Sequence, residues 1–190
     1  MRVLTKDEFL LEKGRFVSDI KQGAIFLHPT DTIYGIGCSA LDSEAVAKVR
    51  HAKLRTSMPF SILVPSKQWL YDNCKVDDRV ESWVKKLPGA YTFILHLKNK
   101  KAVVQEVNNN LSTIGVRIPD HWFSSLVTEL AIPIITTSAN ISGENFMTNL
   151  DNLDPRLKSK LNFLVYEGPK ECRPSTLVDF TKGEPKLVKR

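Results

Sequence analysis

Short, continuous apolar runs alternate with longer amphipathic segments along most of the chain. Apolar runs bounded by turn residues are typical of buried strands. Strands are predicted near 24–27, 60–64, 91–97, 113–118, 132–136, 163–166, 175–180 and 185–189. The intervening segments predict helices near 5–23, 42–52, 67–73, 77–86, 121–130 and 149–160. Helices and strands alternate before strands cluster at the end, which predicts an α/β domain with a mixed sheet and flanking helices.

Capping residues support the boundaries of the first two helices. Thr5 followed by Glu8 forms a capping box at the start of the first helix, and Gly23 is placed to end it. Asp42 or Ser43 can cap the second helix. These two helices therefore flank the first buried run.

The length and composition are those of one globular domain, predicted to span residues 1–190. The chain is 42% hydrophobic and 25% charged, close to the average for soluble domains. The predicted loops are short, which argues against a linker and a second domain. The longest apolar run is about seven residues, whereas a membrane-spanning helix needs about 20. No membrane association is expected.

The cysteines and the N-terminal residues indicate the cellular compartment, and the net charge indicates the kind of binding partner. The three cysteines, Cys38, Cys74 and Cys172, lack metal-binding spacing, so neither a metal cluster nor a disulfide framework is expected. The first residues lack the apolar stretch of a secretory signal, and a reducing cytoplasm is the expected location. The net charge is +6, and 156–190 carry nine Lys/Arg against four Asp/Glu. This balance favours nucleotides, phosphates or RNA, although a solubilising surface explains it equally well.

Polar side chains and two glycines follow the first buried run, in the stretch 28–37, HPTDTIYGIG. Ligands of α/β sheets bind at the carboxyl ends of strands. The hydroxyls of Thr30, Thr32 and Tyr34 could therefore hydrogen-bond a small polar substrate. Taken alone, the stretch is better explained as an ordinary turn held by side-chain hydrogen bonds.

Four cations lie between Lys48 and Arg55 without an acidic residue among them. Lys48 and Arg50 suit the end of a helix, where cations complement the helix dipole. Lys53 and Arg55 are expected beyond the helix. If the backbone there is extended, these two side chains point the same way and could face one phosphate.

A third polar stretch, 136–143 (TTSANISG), follows the apolar run at 132–136. Ser138 and Asn140 are two residues apart and could share a face that binds phosphate or carboxylate oxygens. When the stretch is taken alone, a helix cap or a turn is the better explanation. No nucleophile elbow, P-loop or Gly-x-Gly-x-x-Gly motif is present, which disfavours serine hydrolases, Walker ATPases and Rossmann dehydrogenases.

Three further pieces have weaker signals. The stretch 88–92 (PGAYT) is a turn entering a strand, and 175–179 (STLVD) is a strand opening with two hydroxyls. In 113–119 (TIGVRIP), Arg117 lies in an otherwise apolar strand and must find an anion or lie at the wet end of the strand.

Together and in this order, these stretches resemble the YrdC-type family of threonylcarbamoyl-AMP synthases. The resemblance extends from about Gly23 to Arg190 and depends on the ordered set: PTDTIYG, the K-x-R of Lys53 and Arg55, PGAYT, TIGVRIP, the S-x-N of Ser138 and Asn140, and STLVD. It implies a twisted, open, mixed α/β sheet with a basic concave cleft.

The resemblance also implies a reaction. ATP, L-threonine and bicarbonate would give threonylcarbamoyl-AMP and pyrophosphate, with Mg²⁺ on the triphosphate and no dedicated protein ligands for the metal. The product would pass to a separate tRNA threonylcarbamoyltransferase, which modifies adenosine 37 of tRNAs that read codons starting with A.

The same resemblance assigns roles to individual residues. Lys53, Arg55, Ser138 and Asn140 match the catalytic tetrad of the family, and we call them the tetrad below. The expected ATP contacts are Arg55, Thr113, Ser138 and Arg190. The expected threonine contacts are Thr32, Arg117, Thr136 and Ser175.

Departures from the family pattern and two alternatives remain. The usual K-G-R-P reads Lys53-Leu54-Arg55-Thr56 here, and Met58 stands where many relatives have a polar residue near ATP. An RNA-binding module without synthase activity is the main alternative, because the last 35 residues are basic. A carbamoyl-phosphate-using relative is disfavoured by the short length and by the lack of paired cysteines.

Overall fold

A computed structural model describes residues 1–188, and its strands form one mixed sheet. The strands are β1 (Arg2–Leu4), β2 (Phe26–His28), β3 (Gly35–Gly37), β4 (Ser61–Leu63), β5 (Tyr91–His96), β6 (Thr113–Arg117), β7 (Ile134–Ser138), β8 (Phe163–Val165), β9 (Thr176–Asp179) and β10 (Lys186–Val188). The helices are α1 (Lys6–Leu11), α2 (Lys13–Lys21), α3 (Ser43–Ala52), α4 (Lys67–Asn73), α5 (Asp78–Val84), α6 (Gln105–Asn108), α7 (Phe123–Leu130) and α8 (Pro155–Lys158), with a 3₁₀ turn at Leu150–Asn152.

The strand order is β1-β8-β2-β3-β7-β4-β6-β5-β9-β10. Parallel pairs (β1 with β8, β2 with β8, β4 with β6, β5 with β9) are interspersed with antiparallel ones (β2 with β3, β3 with β7, β4 with β7, β5 with β6, β9 with β10). The sheet is open, since each of its end strands pairs with one neighbour among the described residues, β1 with β8 and β10 with β9. The predicted open, mixed α/β sheet is confirmed.

Helices cover both faces of the sheet. Side chains alternate between the faces of a strand, and in β2 the ring of Phe26 joins a core cluster with α1, α2 and α7. Its neighbour Leu27 joins the larger cluster that contains α3, α4, α5 and α8. In β8, Phe163 likewise joins the first cluster and Leu164 the larger one. Two apolar layers therefore hold the sheet rigidly between helices, and its strand ends present the polar loops.

The capping signals act as predicted, although the first helix is divided. The Glu8 amide donates to Thr5 Oγ1 (3.2 Å), and the Thr5 amide donates to the Glu8 carboxylate (2.7 Å). Asp42 Oδ1 accepts from the Ala45 amide at the start of α3 (3.0 Å). The predicted helix at 5–23 is interrupted at Glu12, which caps both α1 and α2.

Several elements differ from the predictions. The strands β1 and β3 and the short helix α6 were not predicted, and the predicted helix at 149–160 is a 3₁₀ turn followed by the four-residue α8. The strand predicted at 132–136 begins at Ile134 and continues to Ser138. The first three residues of the third polar stretch therefore belong to β7. No helix in the described part of the chain is long and apolar enough to cross a membrane.

Candidate active site

A cleft of about 280 Å³ opens along the middle strands of the sheet. Its walls are mostly hydroxyl-bearing side chains with one guanidinium. They come from the strands β3 to β7, from the loops after β2 and β7, and from the segment before β9. The lining residues are Thr30, Ile33, Tyr34, Gly35, Ser61, Thr92, Arg117, Thr136, Thr137, Ser138, Phe146, Pro174 and Ser175. Three of the four predicted threonine contacts (Arg117, Thr136 and Ser175) lie in this wall.

The loop after β2 is both a turn and part of the cleft. Thr30 Oγ1 donates to the Ile33 carbonyl oxygen (2.8 Å) and accepts from the Thr32 amide (3.1 Å), which closes a side-chain turn. Thr30 also lines the cleft, whereas Thr32 does not. The fourth predicted threonine contact, Thr32, instead accepts from Arg117 Nη2 (2.7 Å). The stretch is therefore the side-chain turn that was its better explanation, and it also contributes Thr30 and Tyr34 to the cleft wall. Substrate binding by these hydroxyls stays a prediction.

Arg117 finds its anion inside the fold, as its apolar strand required. Its Nη2 group donates to Asp31 Oδ1, and the two side chains are 6% and 12% exposed. The Asp31 carboxylate also accepts from the Asp120 amide (2.9 Å), which joins the loop after β2 to the loop after β6. Arg117 thus brings positive charge to the cleft wall from a fixed position.

Two buried side chains that the sequence did not single out contact the cleft hydroxyls. Thr92 Oγ1 of β5 lies 2.7 Å from Ser175 Oγ, and both residues line the cleft. His28 Nε2 of β2 lies 3.5 Å from Thr136 Oγ1. Both residues belong to sequence motifs, His28 to 28–37 and Thr92 to 88–92, but the spacing within a motif does not predict which strands meet.

Lys53 lies where α3 ends, and its side chain is 1% exposed. Its ammonium donates to the Ser138 carbonyl oxygen, to the Asn140 carbonyl oxygen (2.5 Å) and to Asn140 Oδ1 (3.3 Å). Burial, with a smaller effect of the nearby Arg55 cation, lowers the pKa of Lys53 to about 7. Lys53 therefore holds the end of β7 and the loop after it.

The backbone around Lys53 is a tight turn and not an extended segment. Lys53 is helical and Leu54 has a φ of 50°, so the condition for parallel Lys53 and Arg55 side chains is not met. Arg55 instead lies over the Phe60 ring (5.0 Å). It donates to the Pro59 carbonyl oxygen (2.6 Å) and reaches Thr137 Oγ1 (3.4 Å) at the cleft.

The structure brings the tetrad together around the end of β7. Ser138 Oγ donates to Asn140 Oδ1 (2.6 Å), the same oxygen that Lys53 contacts, and Asn140 Nδ2 donates to the Glu144 carbonyl oxygen (2.8 Å). Ser138 lines the cleft directly. Arg55 contacts the adjacent Thr137. Lys53, Ser138 and Asn140 thus form one hydrogen-bond network, and Arg55 lies beside it at Thr137. Of the four, only Ser138 lines the cleft, and we call this part of the cleft its basic end.

Two predicted ATP contacts lie elsewhere. Thr113 begins β6, whereas Arg117 at its other end lines the cleft, so the two are separated by about 13 Å of strand. Thr113 does not line the cleft, and a nucleotide that reaches it would have to extend beyond the cleft. Arg190 lies outside the described residues. Leu54 and Met58, the two departures from the family pattern, are 63% and 62% exposed.

Within residues 1–188, no three His, Cys, Asp or Glu side chains lie close enough together to hold a metal ion. The polar side chains that line the cleft end in hydroxyls and one guanidinium. This donor set suits the oxygens of phosphates and carboxylates better than it suits a metal ion.

The family model Sua5_yciO_yrdC, described as telomere recombination, matches residues 18–190. The chain belongs to this family. The family assignment predicted from the ordered motifs is therefore confirmed, and the match covers every motif on which it was based.

Relatives named as threonylcarbamoyl-AMP synthases match most of the chain. A Methanocaldococcus jannaschii protein, whose synthase name is provisional, is 37% identical over 164 residues, which are 84% of this chain and 76% of its own. The Bos taurus threonylcarbamoyl-AMP synthase is 32% identical over 176 residues, 87% of this chain and 62% of its own. A crystal structure of Pyrococcus abyssi Sua5 complexed with L-threonine is similar with a TM-score of 0.87 and 28% identity, over 98% of this chain and 56% of that one. The chain thus spans roughly half to three quarters of these relatives.

Proposed function

We propose that this chain is an L-threonylcarbamoyladenylate synthase, which converts ATP, L-threonine and bicarbonate into threonylcarbamoyl-AMP, pyrophosphate and water. One observation carries the proposal: the candidate substrate cleft and the tetrad lie side by side. A cleft lined by hydroxyls and Arg117 meets the tetrad at the end of β7. The similar Sua5 structure is complexed with L-threonine, which supports a threonine-sized ligand for the cleft.

The amino acid would occupy the hydroxyl-lined part of the cleft. Its carboxylate would pair with Arg117, which offers a fixed guanidinium in the wall. Thr136 and Ser175 would accept from the amine or bond the substrate hydroxyl, and Thr32 would act by holding Arg117. A site that hydrogen-bonds every polar group of the substrate rejects analogues that lack one of them.

ATP would bind at the basic end of the cleft. Ser138 and Arg55 would contact the phosphates, and Thr113 would be reached by a more distant part of the nucleotide. The Mg²⁺ that accompanies ATP would be held by phosphate oxygens and water, because the described residues offer no carboxylate cage. Arg190 is a further proposed contact, from outside the described residues.

Catalysis would consist mainly of positioning and electrostatic stabilisation. A triphosphate, bicarbonate and a carboxylate repel one another, and Lys53, Arg55 and Arg117 would offset that repulsion. Cations that the fold already holds in place stabilise developing charge without reorganisation. The Lys53 network would keep Ser138 and Asn140 in a fixed geometry through adenylate formation.

The product is an activated carbamate, so a second protein must transfer it. We propose a separate tRNA threonylcarbamoyltransferase as that partner and the cytoplasm as the location, with adenosine 37 of tRNAs as the final acceptor.

The test is pyrophosphate release from ATP, with L-threonine and bicarbonate omitted in turn. Release that requires both co-substrates supports the synthase. Arg55→Ala is expected to abolish release, because the phosphates lose a cation. Lys48→Ala removes the same charge from an exposed position of α3 and should keep full activity. Unchanged turnover in Arg55→Ala would contradict the role of Arg55.

RNA binding without synthase activity is the second candidate, because residues 156–190 have a net charge of +5. Such binding would weaken steeply with salt, through release of counterions. Robust turnover by nuclease-treated protein would reject this alternative as the main function. Salt-sensitive RNA binding by a folded protein that releases no pyrophosphate would instead favour it.

A further inference from the structure

His28 is a buried histidine directly beneath the cleft. It lies at the end of β2, is 0% exposed, and its ring stacks on Phe123 with the centroids 4.8 Å apart. Its Nδ1 atom is 3.1 Å from the Pro29 carbonyl oxygen, and its Nε2 atom is 3.5 Å from Thr136 Oγ1. Both ring nitrogens therefore face a polar atom, one in the backbone and one in the cleft wall.

A glycine in the strand between them allows this contact. β3 lies between β2 and β7, and a Cβ at Gly35 would lie 2.8 Å from His28 Nε2 and 3.0 Å from Thr136 Oγ1. The first distance is shorter than real Cβ atoms show, and the second is tighter than most of their contacts. The side chains of β2 and β7 thus meet across β3 because Gly35 leaves the space.

The chemistry of the partners fixes the direction of both hydrogen bonds. A carbonyl oxygen can only accept, so the proton of the neutral ring is on Nδ1 and is donated to Pro29. Nε2 then carries a lone pair and can only accept. A buried acceptor without a donor is costly, and the Thr136 hydroxyl lies within reach to donate to it. Desolvation lowers the pKa of His28 to about 3, which keeps the ring neutral in ordinary buffers.

We propose that His28 is a positioning residue that turns the Thr136 hydroxyl proton away from the cleft. The oxygen lone pairs then face the ligand, and Thr136 accepts from the amine of the bound amino acid. This role rests on the proposed synthase function. In this arrangement Thr136 of β7 accepts a hydrogen bond from the amine of the ligand, whereas Arg117 donates to its carboxylate.

The first test measures the tautomer of His28 without any turnover. A long-range ¹H–¹⁵N spectrum of the wild-type protein near neutral pH should show a ring protonated on Nδ1 alone. The His28→Phe variant assigns the signal among the four histidines. If that variant does not fold, the signal is assigned as the ring that does not titrate down to about pH 5. A ring protonated on Nε2, or on both nitrogens, would overturn the proposal.

The second test separates KM from kcat. His28→Phe keeps an aromatic ring against Phe123 but removes the acceptor, and should raise the KM for threonine by about 3- to 10-fold with kcat little changed. Thr136→Val should do the same, and the double variant should be no worse than either single one. Thr136→Ser keeps the hydroxyl and should restore the wild-type KM.

His51→Phe is the matched control, since the same exchange is made on an exposed position of α3. It should leave the KM for threonine unchanged. An unchanged KM in His28→Phe, or effects of His28→Phe and Thr136→Val that multiply, would show that the two residues do not act as a unit and would overturn the proposal. A wild type that releases no pyrophosphate contradicts the synthase alone, because the tautomer is measured independently.

Discussion

Lys53 is a charged residue in a buried position, and its hydrogen-bond partners explain how the fold accommodates the ammonium group. Its ammonium is surrounded by two carbonyl oxygens and an amide oxygen of residues 138 and 140. Neutral acceptors satisfy the hydrogen bonds of a buried cation but do not cancel its charge. The uncompensated charge is consistent with a pKa lowered to about 7. An anion arriving at the tetrad would therefore stabilise the protonated form of Lys53.

His28 makes the stability of the fold depend on pH. Its pKa is lowered to about 3, whereas an unfolded histidine titrates near 6.5. Between these values the unfolded chain binds a proton that the folded chain does not, so stability falls as the pH falls. From about pH 7 to about pH 5, this group alone should lower the free energy of unfolding by about 2 kcal/mol.

Urea unfolding of the wild type and of His28→Phe at the two pH values measures this dependence. Each protein is compared with itself, so a constant effect of the substitution cancels. The wild type should lose about 2 kcal/mol more than the variant on acidification. Equal losses in the two proteins would mean that His28 takes up its proton in the folded state as readily as in the unfolded one.

At the scale of elements, the close contact of β2, β3 and β7 depends on Gly35. An added methyl group would meet the buried His28 ring at 2.8 Å, and this ring is held by its stacking on Phe123. Gly35→Ala should therefore destabilise the fold by about 1–3 kcal/mol through overpacking. It should also weaken threonine binding, because His28 and Thr136 are pushed apart.

Gly14→Ala is the matched control for this substitution. Gly14 lies in α2, and an added Cβ would have no neighbour within 4 Å. This variant should gain about 0.5–1 kcal/mol from the higher helix propensity of alanine. Denaturant midpoints of both variants check the prediction. A Gly35→Ala protein as stable as the wild type would show that the three strands can separate slightly without cost.

The elements that the sequence predicted are those with strong local signals. Thr5 and Asp42 mark helix starts by capping, and the apolar runs mark the buried strands that form the core. The strand β3 was missed because the sequence Gly-Ile-Gly offers a single apolar side chain and reads as a turn. The turn at Leu54 was missed because its positive φ falls on a leucine, whereas a glycine there would have indicated a turn.

The sequence motifs predicted which residues belong to the candidate site, but they did not predict which of these residues contact one another. The motifs supplied Arg117, Thr136, Ser138 and Ser175, which all line the cleft. The partners of those residues come from strands that are distant in the chain, such as Thr92 beside Ser175. Such pairs depend on the strand order, in which β7 lies between β3 and β4, and no local pattern encodes that order. This is why His28 carried no sequence signal for its role.

At the scale of the whole molecule, charge should distinguish the two substrates. The chain carries a net charge of +6, and the basic end of the cleft contributes Lys53 and Arg55. ATP with Mg²⁺ is a net anion, whereas threonine is a zwitterion without net charge. Salt screens the attraction of a net charge over the Debye length but barely affects a neutral ligand. Raising the salt concentration from about 0.05 to about 0.3 M should thus raise the KM for ATP by roughly threefold.

The KM for threonine should change less over the same range, because the charges of a zwitterion cancel at long range and its carboxylate, in the proposed binding mode, would meet Arg117 at contact distance. Initial rates of pyrophosphate release, with each substrate varied in turn, measure both constants. A series in sucrose of matched osmolality controls for effects that are not ionic. If the KM values for ATP and threonine depended equally on salt, long-range attraction by the positive charge of the protein would not favour ATP over threonine. ATP affinity would then depend on short-range contacts such as those of Ser138 and Arg55.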